Sequence, residues 1–356
     1  MIFSFQLKTQ NMSGTLISYC MKRIPDQGNL ERRESMANIK DIAEKAGVSV
    51  TTVSRVINNH PYVSEDKRNR VLEAMEALEY TRNIHAVHLS KGFSNMIGVV
   101  LPTINLPYFA ELIAGIADAA AESGIHLSLF QTNYDVQKEI FALSQLKQRQ
   151  VDGVIFCSKA LADEKLMEWE GPILLCQNSD ISRFPTISIP HQQAFRKGLD
   201  YLIAKGHTKI AICLARKKGM NSHFRIKAYK EALEEIGEAF REDWVIEKAI
   251  TINDGKALFH KWQKWKEKPT AIFVANDQVS AGLLLEARAQ RVSVPDELAI
   301  LSVDNHEISQ SLGITTIDIQ TKEMGKQAFA MLEKRIQGQP IERKVLDYRL
   351  IERSTV

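Results

Sequence analysis

Cysteine is scarce in this chain and lacks the spacing of a metal site or a disulfide framework. The 356 residues include four cysteines, Cys20, Cys157, Cys176 and Cys213, with no Cys-x-x-Cys pair. The last three lie in apolar, strand-like runs. Such cysteines are typical of buried thiols in a reducing compartment, so we expect neither disulfides nor a metal.

The chain also lacks a long apolar run and a secretory signal. No hydrophobic stretch approaches the length of a membrane span. The N-terminal Met1-Ile-Phe-Ser-Phe has neither the basic start nor the sustained apolar core of a signal peptide. These absences predict a cytoplasmic protein that has no membrane partner.

Familiar catalytic motifs are missing as well. The sequence has no glycine-rich phosphate loop, no His-Glu-x-x-His and no Gly-x-Ser-x-Gly. Its nine histidines are spread along the chain. The chain is therefore predicted not to be an enzyme and to need no cofactor.

No excess of charge of one sign marks the chain as a nucleic-acid binder. The formal net charge is +3, and basic and acidic side chains nearly balance between Met36 and Gly92. Any contacts with phosphate must therefore come from specific placement of a few side chains and from repetition in a dimer.

The stretch from Ile39 to Asn58 predicts two short helices joined by a tight turn. The apolar face of the first helix comprises Ile39, Ile42, Ala43 and Ala46. Gly47 supplies the positive φ at which such helices commonly stop, and Ser49 is a suitable N-cap for the second helix. This pattern is typical of a helix-turn-helix.

The second helix presents a polar face. Its inward residues are predicted to be Val53, Val56 and Ile57, and its outward residues Val50, Thr51, Thr52, Ser54 and Arg55. Small hydroxyl side chains allow close approach to a DNA groove, and an arginine can bind guanine or phosphate with two hydrogen bonds. The alternative is an ordinary pair of antiparallel helices with a polar surface.

A third helix follows a loop. Ser64 is its predicted cap, and Glu65 and Asp66 lie in the first turn, where the helix dipole favours acidic residues. Its apolar face is predicted to comprise Val71, Leu72, Met75 and Leu78. Three such helices can bury a small core.

Specific motifs run through and beyond these helices. They are Asp41-Ile-Ala, Ala46-Gly-Val-Ser, Thr52-Val-Ser-Arg-Val-Ile-Asn58, Val63-Ser, Tyr80, Asn83, Ala86 and Leu89. Together they closely resemble the LacI/GalR family of bacterial transcription regulators, and the resemblance extends from Met36 to Val356. It implies a DNA-binding domain at residues 36–82 and a hinge helix with its linker at residues 83–95.

The resemblance also implies how DNA is contacted. In the family, a hinge leucine wedges into the minor groove at the operator dyad, and Leu89 occupies that place. The implied DNA-binding residues are Ser49, Val50, Thr51, Thr52, Ser54, Arg55, Asn58 and Leu89. A homodimer on a pseudo-palindromic operator is expected. The alternative for Leu89 is a linker residue that packs on the core.

Residues 1–35 precede the point where the family begins. Met36 is a natural start, so we interpret residues 1–35 as a non-native or disordered extension. Their lack of periodicity is typical of disorder.

From Met96 onward, short β-like runs alternate with amphipathic helical patterns, which predicts a parallel α/β fold. The strand-like runs include residues 97–101, 126–130, 153–157, 173–176, 209–213, 245–252, 271–275 and 298–303. The expected class is α/β: an all-α helix-turn-helix domain, then a two-lobed periplasmic-binding-protein-like core with two parallel sheets. The expected N-lobe is 96–190 with 315–338 and the C-lobe 191–314 with 339–356, so the chain would cross near Pro190, Ile314 and Gly338.

Such a core binds a small ligand between its lobes, at the carboxyl ends of the strands. The resemblance assigns effector binding to Tyr108, Phe109, Gln177, Arg225, Asp277 and Asp304. The alternatives are core packing for the two rings, a helix cap for Asp277 and a structural turn for Asp304. Gln177-Asn178 stands where many sugar-binding members carry an Asp-Arg-like pair, so the ligand is not specified.

The predicted function is a ligand-responsive, DNA-binding transcriptional regulator. The preferred interpretation is a dimeric repressor of carbohydrate-utilisation genes, switched by a sugar or sugar phosphate. The opening of the DNA domain and the segments Ile252-Asn-Asp-Gly255 and Ala275-Asn-Asp277 look most like the carbon-catabolite-control branch or a maltose-type operon regulator. One alternative is a phosphocarrier-protein co-repressor, which is disfavoured because its expected tyrosine and arginine contacts are Lys322 and Ala330 here. The other alternative is a sugar-binding protein that does not bind DNA.

Overall fold

The computed structural model describes residues 37–80, 92–179, 183–215 and 220–356. The chain divides into two compact units, one ending at Ala86 and the other beginning at Val87. The extension at residues 1–35, Leu89 and most of the expected hinge lie outside the described residues. No helix of the described ranges is long and apolar enough to span a membrane.

Three helices form the described part of the first unit. They are α1 (Ile39–Ala46), α2 (Val50–Ile57) and α3 (Glu65–Ala77). Their core consists of Ile42, Ala43, Ala46, Val53, Val56, Val71 and Ala74. The helical period explains this selection, since residues three or four apart lie on one face.

The prediction of the apolar face of α3 is wrong at one position. Leu72 is 50% exposed, and Ala74 is buried beside Val71 instead. Met75 and Leu78 pack against the core as expected. Leu72 follows Val71 by one residue and therefore turns about 100° away from the buried stripe. Ser64 precedes the helix, but its side chain forms no capping hydrogen bond.

The second unit alternates strands and helices along the chain. Its first half contains β1 (Met96–Leu101), α4 (Pro107–Glu122), β2 (His126–Gln131), α5 (Val136–Lys147), β3 (Gly153–Phe156), α6 (Asp163–Leu166), β4 (Ile173–Leu175) and β5 (Ile187–Ser188). Then follow α7 (His191–Ala204), β6 (Ile210–Cys213), α8 (Met220–Glu235), β7 (Val245–Ile246), α9 (Ile252–Lys264), β8 (Ala271–Val274), α10 (Asp277–Ala289) and β9 (Ala299–Val303). The last elements are α11 (Glu307–Leu312), β10 (Thr315–Asp318), α12 (Thr321–Ile336), β11 (Lys344–Val345) and β12 (Arg349–Ile351).

Two separate sheets define two lobes, which confirms the predicted fold class. The first lobe is built on a four-stranded parallel sheet in the order β2-β1-β3-β4. The second lobe is built on a six-stranded sheet in the order β12-β10-β9-β8-β6-β7, in which only β12 is antiparallel to its neighbour. The described cysteines Cys157, Cys176 and Cys213 are free and buried, as expected.

Two of the three expected crossings between lobes come later than predicted. Residues 315–317 pair with residues 301–303, so β10 belongs to the second lobe and the chain crosses after Asp318 rather than near Ile314. β11 pairs with β5, which adjoins β4 through a bridge between Leu175 and Thr186. The last crossing therefore lies between β11 and β12, not near Gly338. The strand to which each segment hydrogen-bonds decides where these two crossings lie, and the local hydrophobic periodicity does not specify that strand.

The strand expected at residues 245–252 ends at Ile246, and a helix begins at Ile252. Thr251 Oγ1 accepts a hydrogen bond from the Asp254 N–H at 3.2 Å. Asp254 Oδ2 accepts one from the Thr251 N–H at 2.8 Å. This reciprocal capping box starts α9, and its Thr-x-x-Asp spacing was present in the sequence.

Glycines allow one helix pair in each lobe to cross at close range. A Cβ at Gly115 of α4 would lie 2.0 Å from the Lys322 carbonyl oxygen of α12. A Cβ at Gly282 of α10 would lie 1.9 Å from the Ile252 carbonyl oxygen of α9. Since backbone atoms cannot move aside as a side chain can, these positions admit only glycine without separating the helices.

Gly115→Ala should therefore destabilise the second unit by about 2 kcal/mol or more, because overpacking displaces α12 from α4. Chemical denaturation of the full chain would measure the loss. Glu122→Ala at the exposed end of α4 is the matched control and should change the free energy of unfolding little. Equal stability of Gly115→Ala and the wild type would contradict the close crossing.

Candidate functional site

The turn between α1 and α2 is held by local hydrogen bonds. Asn38 and Asp41 form a capping box at the start of α1, and Gly47 ends it with φ of 60°. Ser49 Oγ accepts a hydrogen bond from the Thr52 N–H at 3.2 Å and lies 2.9 Å from Thr52 Oγ1. Ser49 therefore caps α2 as predicted, and both hydroxyl groups are engaged in the turn.

The outer face of α2 is narrower than the sequence predicted. Val50, Thr51 and Arg55 are exposed, whereas Thr52 and Ser54 are half-buried. Arg55 makes no side-chain hydrogen bond or ion pair with the described residues. Asn58 is exposed, but its side-chain amide donates to the Ser54 carbonyl oxygen at 2.9 Å. Val50, Thr51 and Arg55 are thus the side chains of α2 most available to a partner.

An aromatic side chain missed by the sequence reasoning lies beyond α2. Tyr62 is 86% exposed, and its ring lies 5.7 Å from that of His60. Arg68 stabilises this loop by donating to the His60 carbonyl oxygen at 2.9 Å. Exposure of a large ring was not evident, because the loop has no periodicity to indicate it.

The second unit contains a cavity of about 420 Å³ lined by both lobes. All six sequence-predicted effector residues line it: Tyr108, Phe109, Gln177, Arg225, Asp277 and Asp304. They come from loops and helix starts after the strands of both sheets, where parallel strands bring their carboxyl ends together. Phe109 is nevertheless buried in the hydrophobic core, so its ring serves packing as well.

Asp277 is fully buried in the cavity wall. Its Oδ2 atom accepts a hydrogen bond from the His306 N–H at 2.6 Å, and its Oδ1 atom accepts one from the Thr316 hydroxyl at 3.2 Å. Burial and the nearby charge of Asp304 raise the pKa of Asp277 to about 6. Asn276, not Asp277, caps α10, since its side chain accepts from the Val279 N–H at 2.9 Å.

Asp304 lies at a structural turn as well as at the cavity. Its φ is 116° and that of Asn305 is 64°, both in the left-handed region. Burial raises the pKa of Asp304, while His306 and Arg225 oppose the rise. Both interpretations of this residue, turn and cavity wall, therefore hold geometrically.

Arg225 brings a positive charge to the cavity wall. It forms no hydrogen bond or ion pair with the described residues, and its guanidinium lies 6.0 Å from the centre of the Phe195 ring. Burial lowers the pKa of Arg225, and Asp304 and Tyr108 counteract this. His191 is also at the cavity, and burial followed by the charge of Arg225 lowers its pKa to about 3. This corner thus presents a guanidinium beside a neutral imidazole.

The opposite side of the cavity is a loop held by buried charges. Glu139 accepts hydrogen bonds from the N–H groups of Ala160 and Leu161, the shorter at 2.8 and 2.7 Å. Lys159 pairs with Asp163 and donates to the Leu161 carbonyl oxygen at 2.6 Å. These bonds stabilise the shape of the loop, and they leave Lys159 engaged. Among the residues of the described ranges, no cluster of His, Cys, Asp and Glu could hold a metal ion.

Comparison with known proteins identifies both units. Residues 38–83 match the bacterial regulatory proteins of the lacI family, and residues 199–356 match the periplasmic binding protein-like domain. Over 321 residues the chain is 94% identical to an uncharacterised HTH-type transcriptional regulator of Bacillus subtilis (strain 168), YkvZ. That match covers 90% of this chain and 100% of YkvZ. The chain belongs to the LacI family.

Two further similarities extend over both units. The chain is 37% identical over 308 residues to the NTD biosynthesis operon regulator NtdR of the same organism, covering 85% of this chain and 94% of NtdR. It also resembles the crystal structure of the lac repressor dimer bound to operator and the anti-inducer ONPF. There the TM-score is 0.79 and the identity 25%, with 90% of this chain and 98% of that chain covered. This LacI-family chain is accordingly a ligand-responsive, DNA-binding transcriptional regulator.

Several cavity residues of this LacI-family protein were not found by sequence reasoning. Lys159, His191, Asn276 and His306 all line the cavity. Each follows a strand closely in the sequence, and that position was the available signal. Which of these positions faces the cavity depends on the turn after the strand, so residue type alone did not select them.

Asp277→Asn should make unfolding less sensitive to pH between about pH 4 and pH 7. The pKa of Asp277 is raised to about 6 in the folded protein. A raised pKa means that the native state binds the proton more tightly, so stability falls as the pH rises through that range. Asparagine keeps an acceptor for the His306 N–H without the charge. In thermal unfolding across this range, the stability of the variant should increase relative to that of the wild type as the pH rises. A stability difference that does not change with pH would contradict the prediction.

Proposed function

We propose that this protein is a dimeric repressor of carbohydrate-utilisation genes that binds a pseudo-palindromic operator and is switched by a sugar or sugar phosphate. The observation that carries the proposal is the presence of both parts in one chain. The first unit exposes Val50, Thr51 and Arg55 on a capped helix, and the second unit holds a polar cavity between two lobes.

The exposed face of α2 suits the major groove of DNA. Arg55 has no competing partner in the described part of the chain, so its guanidinium is available to a base or phosphate. Ser49 and Thr52, which were predicted to contact DNA, share a hydrogen bond that uses one of their two hydroxyl protons, and the Thr52 N–H donates to Ser49, so only the other hydroxyl proton remains for a phosphate oxygen. As a binder of chromosomal DNA, the protein would act in the cytoplasm.

The cavity suits a small polar ligand with an anionic group. Its volume lies within the range of small-molecule sites, roughly 300–1,000 Å³. Gln177, Asn276 and Asp304 offer hydrogen bonds to hydroxyl groups. Arg225 favours a phosphate or carboxylate, because a partly desolvated guanidinium without hydrogen bonds to the described residues can form charge-assisted hydrogen bonds with an anion.

A dimer is supported by the edge of the first sheet. β2 is an edge strand, and Leu129 on β2 and Phe141 on α5 are 49% and 58% exposed. Apolar side chains beside an unpaired edge are typical of a surface that another chain covers. Two copies would present two α2 helices to the two halves of an operator.

The phosphocarrier-protein alternative has less support. The expected docking helix corresponds to about Lys322 to Arg335, most of α12. Lys322 is paired with Asp118 at 2.9 Å, and Ala330 offers no polar group to a phosphorylated partner. A direct small effector therefore remains the preferred switch. Such a ligand can change DNA affinity only through different affinities for the two arrangements of the lobes.

Arg55→Ala should weaken operator binding by about 1–3 kcal/mol if Arg55 contacts a base. Binding would be measured by gel shift, first with random genomic fragments and then with a selected duplex at fixed salt. Lys256→Ala, which removes one exposed positive charge from the second unit, is the matched control and should not alter the affinity. Failure of the wild type to retard any fragment would favour the sugar-binding alternative without DNA activity.

A thermal-shift screen should identify the effector class. A ligand at 100 times its dissociation constant adds about 2.7 kcal/mol to stability. We expect phosphorylated sugars to stabilise the wild type more than the corresponding free sugars, because Arg225 forms no hydrogen bond or ion pair with a described residue and can bind the phosphate. Arg225→Gln should remove that difference, whereas Lys227→Gln on the same helix should keep it. Equal shifts for both sugar classes in the wild type would contradict a phosphorylated effector.

A further inference from the structure

The side chain of His306 joins the two lobes at the wall of the cavity. Its Nδ1 atom lies 2.8 Å from Glu111 Oε1 on α4 of the first lobe, while His306 itself follows β9 of the second lobe. The imidazole is 6% exposed and the Glu111 side chain 40% exposed. We call Glu111, His306 and Asp304 the interlobe bridge.

The orientation of the imidazole depends on the first lobe. Its Nε2 atom lies 3.6 Å from Asp304 Oδ2, which is too long for a hydrogen bond, and this buried nitrogen has no hydrogen-bond partner among the described residues. The second lobe therefore supplies charge but no ring hydrogen bond from its described residues. If the lobes part, the ring loses the hydrogen bond to Glu111 that orients it.

Charged groups surround His306 from every element packed around it. Glu111 of α4 and Asp304 after β9 face the ring, and Asp277 of α10 accepts the His306 backbone N–H. The charge of Arg225 on α8 lowers the pKa of Asp304. Arg353 donates a hydrogen bond to Oδ1 of the neighbouring Asn305 at 2.7 Å. Burial disfavours the imidazolium, but Asp304 and Glu111 outweigh it and raise the pKa of His306 to about 10.

A cation at this position is needed most when the lobes are closed. In the arrangement observed, the charge of Glu111 raises the pKa of Asp304, and that of Asp304 raises the pKa of Asp277, because neighbouring carboxylates repel one another in a partly dry site. The imidazolium offsets this repulsion, and the main-chain N–H of the same residue donates to Asp277 Oδ2 at 2.6 Å. Without it, closure would require one of the acids to take up a proton.

We propose that Glu111 and His306 act as positioning residues that hold the lobes closed and thereby keep Asp277 and Asp304 in place for the effector. The proposal rests on the proposed function in treating the cavity as the effector site. The bridge couples the two lobes directly, so a ligand that favours the closed form would do so together with the bridge.

Hydrogen exchange of the full-length protein without DNA or ligand tests this coupling. His306→Gln removes the cation and should speed exchange of the first amides of α4 and of the loop after β9 by about tenfold, because the bridged lobes open more often. Glu111→Gln should produce a smaller increase in the same segments. The double variant should exchange more slowly than the sum of the single effects predicts, since it removes an acid together with the cation.

His260→Gln is the matched control. His260 on α9 lies 3.5 Å from Glu286 on α10, a histidine–glutamate pair within the second lobe. Its loss should leave exchange at α4 unchanged. If His306→Gln fails to fold, Glu111→Gln still tests the proposal, because a change at α4 must then alter exchange in the loop after β9.

A pH profile separates the bridge from a merely structural role. The pKa of His306 is raised above its ordinary value, so the bridge is fully present at lower pH and is lost as the pH rises through about 10. Exchange at the two segments, corrected for its intrinsic pH dependence, should therefore rise towards pH 10 in the wild type and stay flat in His306→Gln. Wild-type exchange in both single variants, or strictly additive effects, would overturn the proposal even if the protein binds DNA and a sugar as proposed.

Discussion

Two carboxylates buried side by side are the constraint on which the cavity depends. Asp277 and Asp304 cannot both be charged in a dry wall unless donors and a cation compensate them. The compensation comes from the Thr316 hydroxyl, the backbone N–H of His306 and the imidazole of His306. Because that imidazole is oriented by Glu111, the chemistry of the second lobe depends on the position of the first.

The parallel sheets explain why these groups meet at all. The residues that follow β3, β4, β8 and β9 lie at the same edges of their sheets, and the chain crosses between lobes beside them. Glycines at the crossings of α4 with α12 and of α9 with α10 let the supporting helices approach closely. The lobes are therefore well packed internally, and one hydrophobic cluster includes buried residues of both lobes. Two packed lobes joined by crossing segments can hinge about those segments.

A ligand changes the DNA affinity of a regulator only when its own affinity differs between the states that bind DNA strongly and weakly. The charge distribution supports such an equilibrium. Arg225 forms no hydrogen bond or ion pair with the described residues, although the charge of Asp304 acts on it, whereas Lys159 pairs with Asp163 and donates to the Leu161 carbonyl oxygen. An anionic ligand could thus pair with Arg225 without disturbing the loop that Lys159 stabilises. The protein shares its fold with the other LacI-family regulators. The arrangement of these cavity charges is one property in which it can differ from them.

Local sequence by itself determined the three helices of the first unit, the N-cap of Ser49, the αL stop at Gly47 and most of the buried strands, and the family resemblance supplied the six residues that line the cavity. Caps and periodic patterns depend on residues close together in the chain, so they can be recognised from the sequence without knowledge of the fold. Tertiary structure alone decided that Leu72 is exposed while Ala74 is buried, that β10 and β11 delay the crossings, and that His306 meets Glu111. These outcomes depend on hydrogen bonds and charges between segments far apart in the chain. No local pattern specifies which distant segment will contact a given residue.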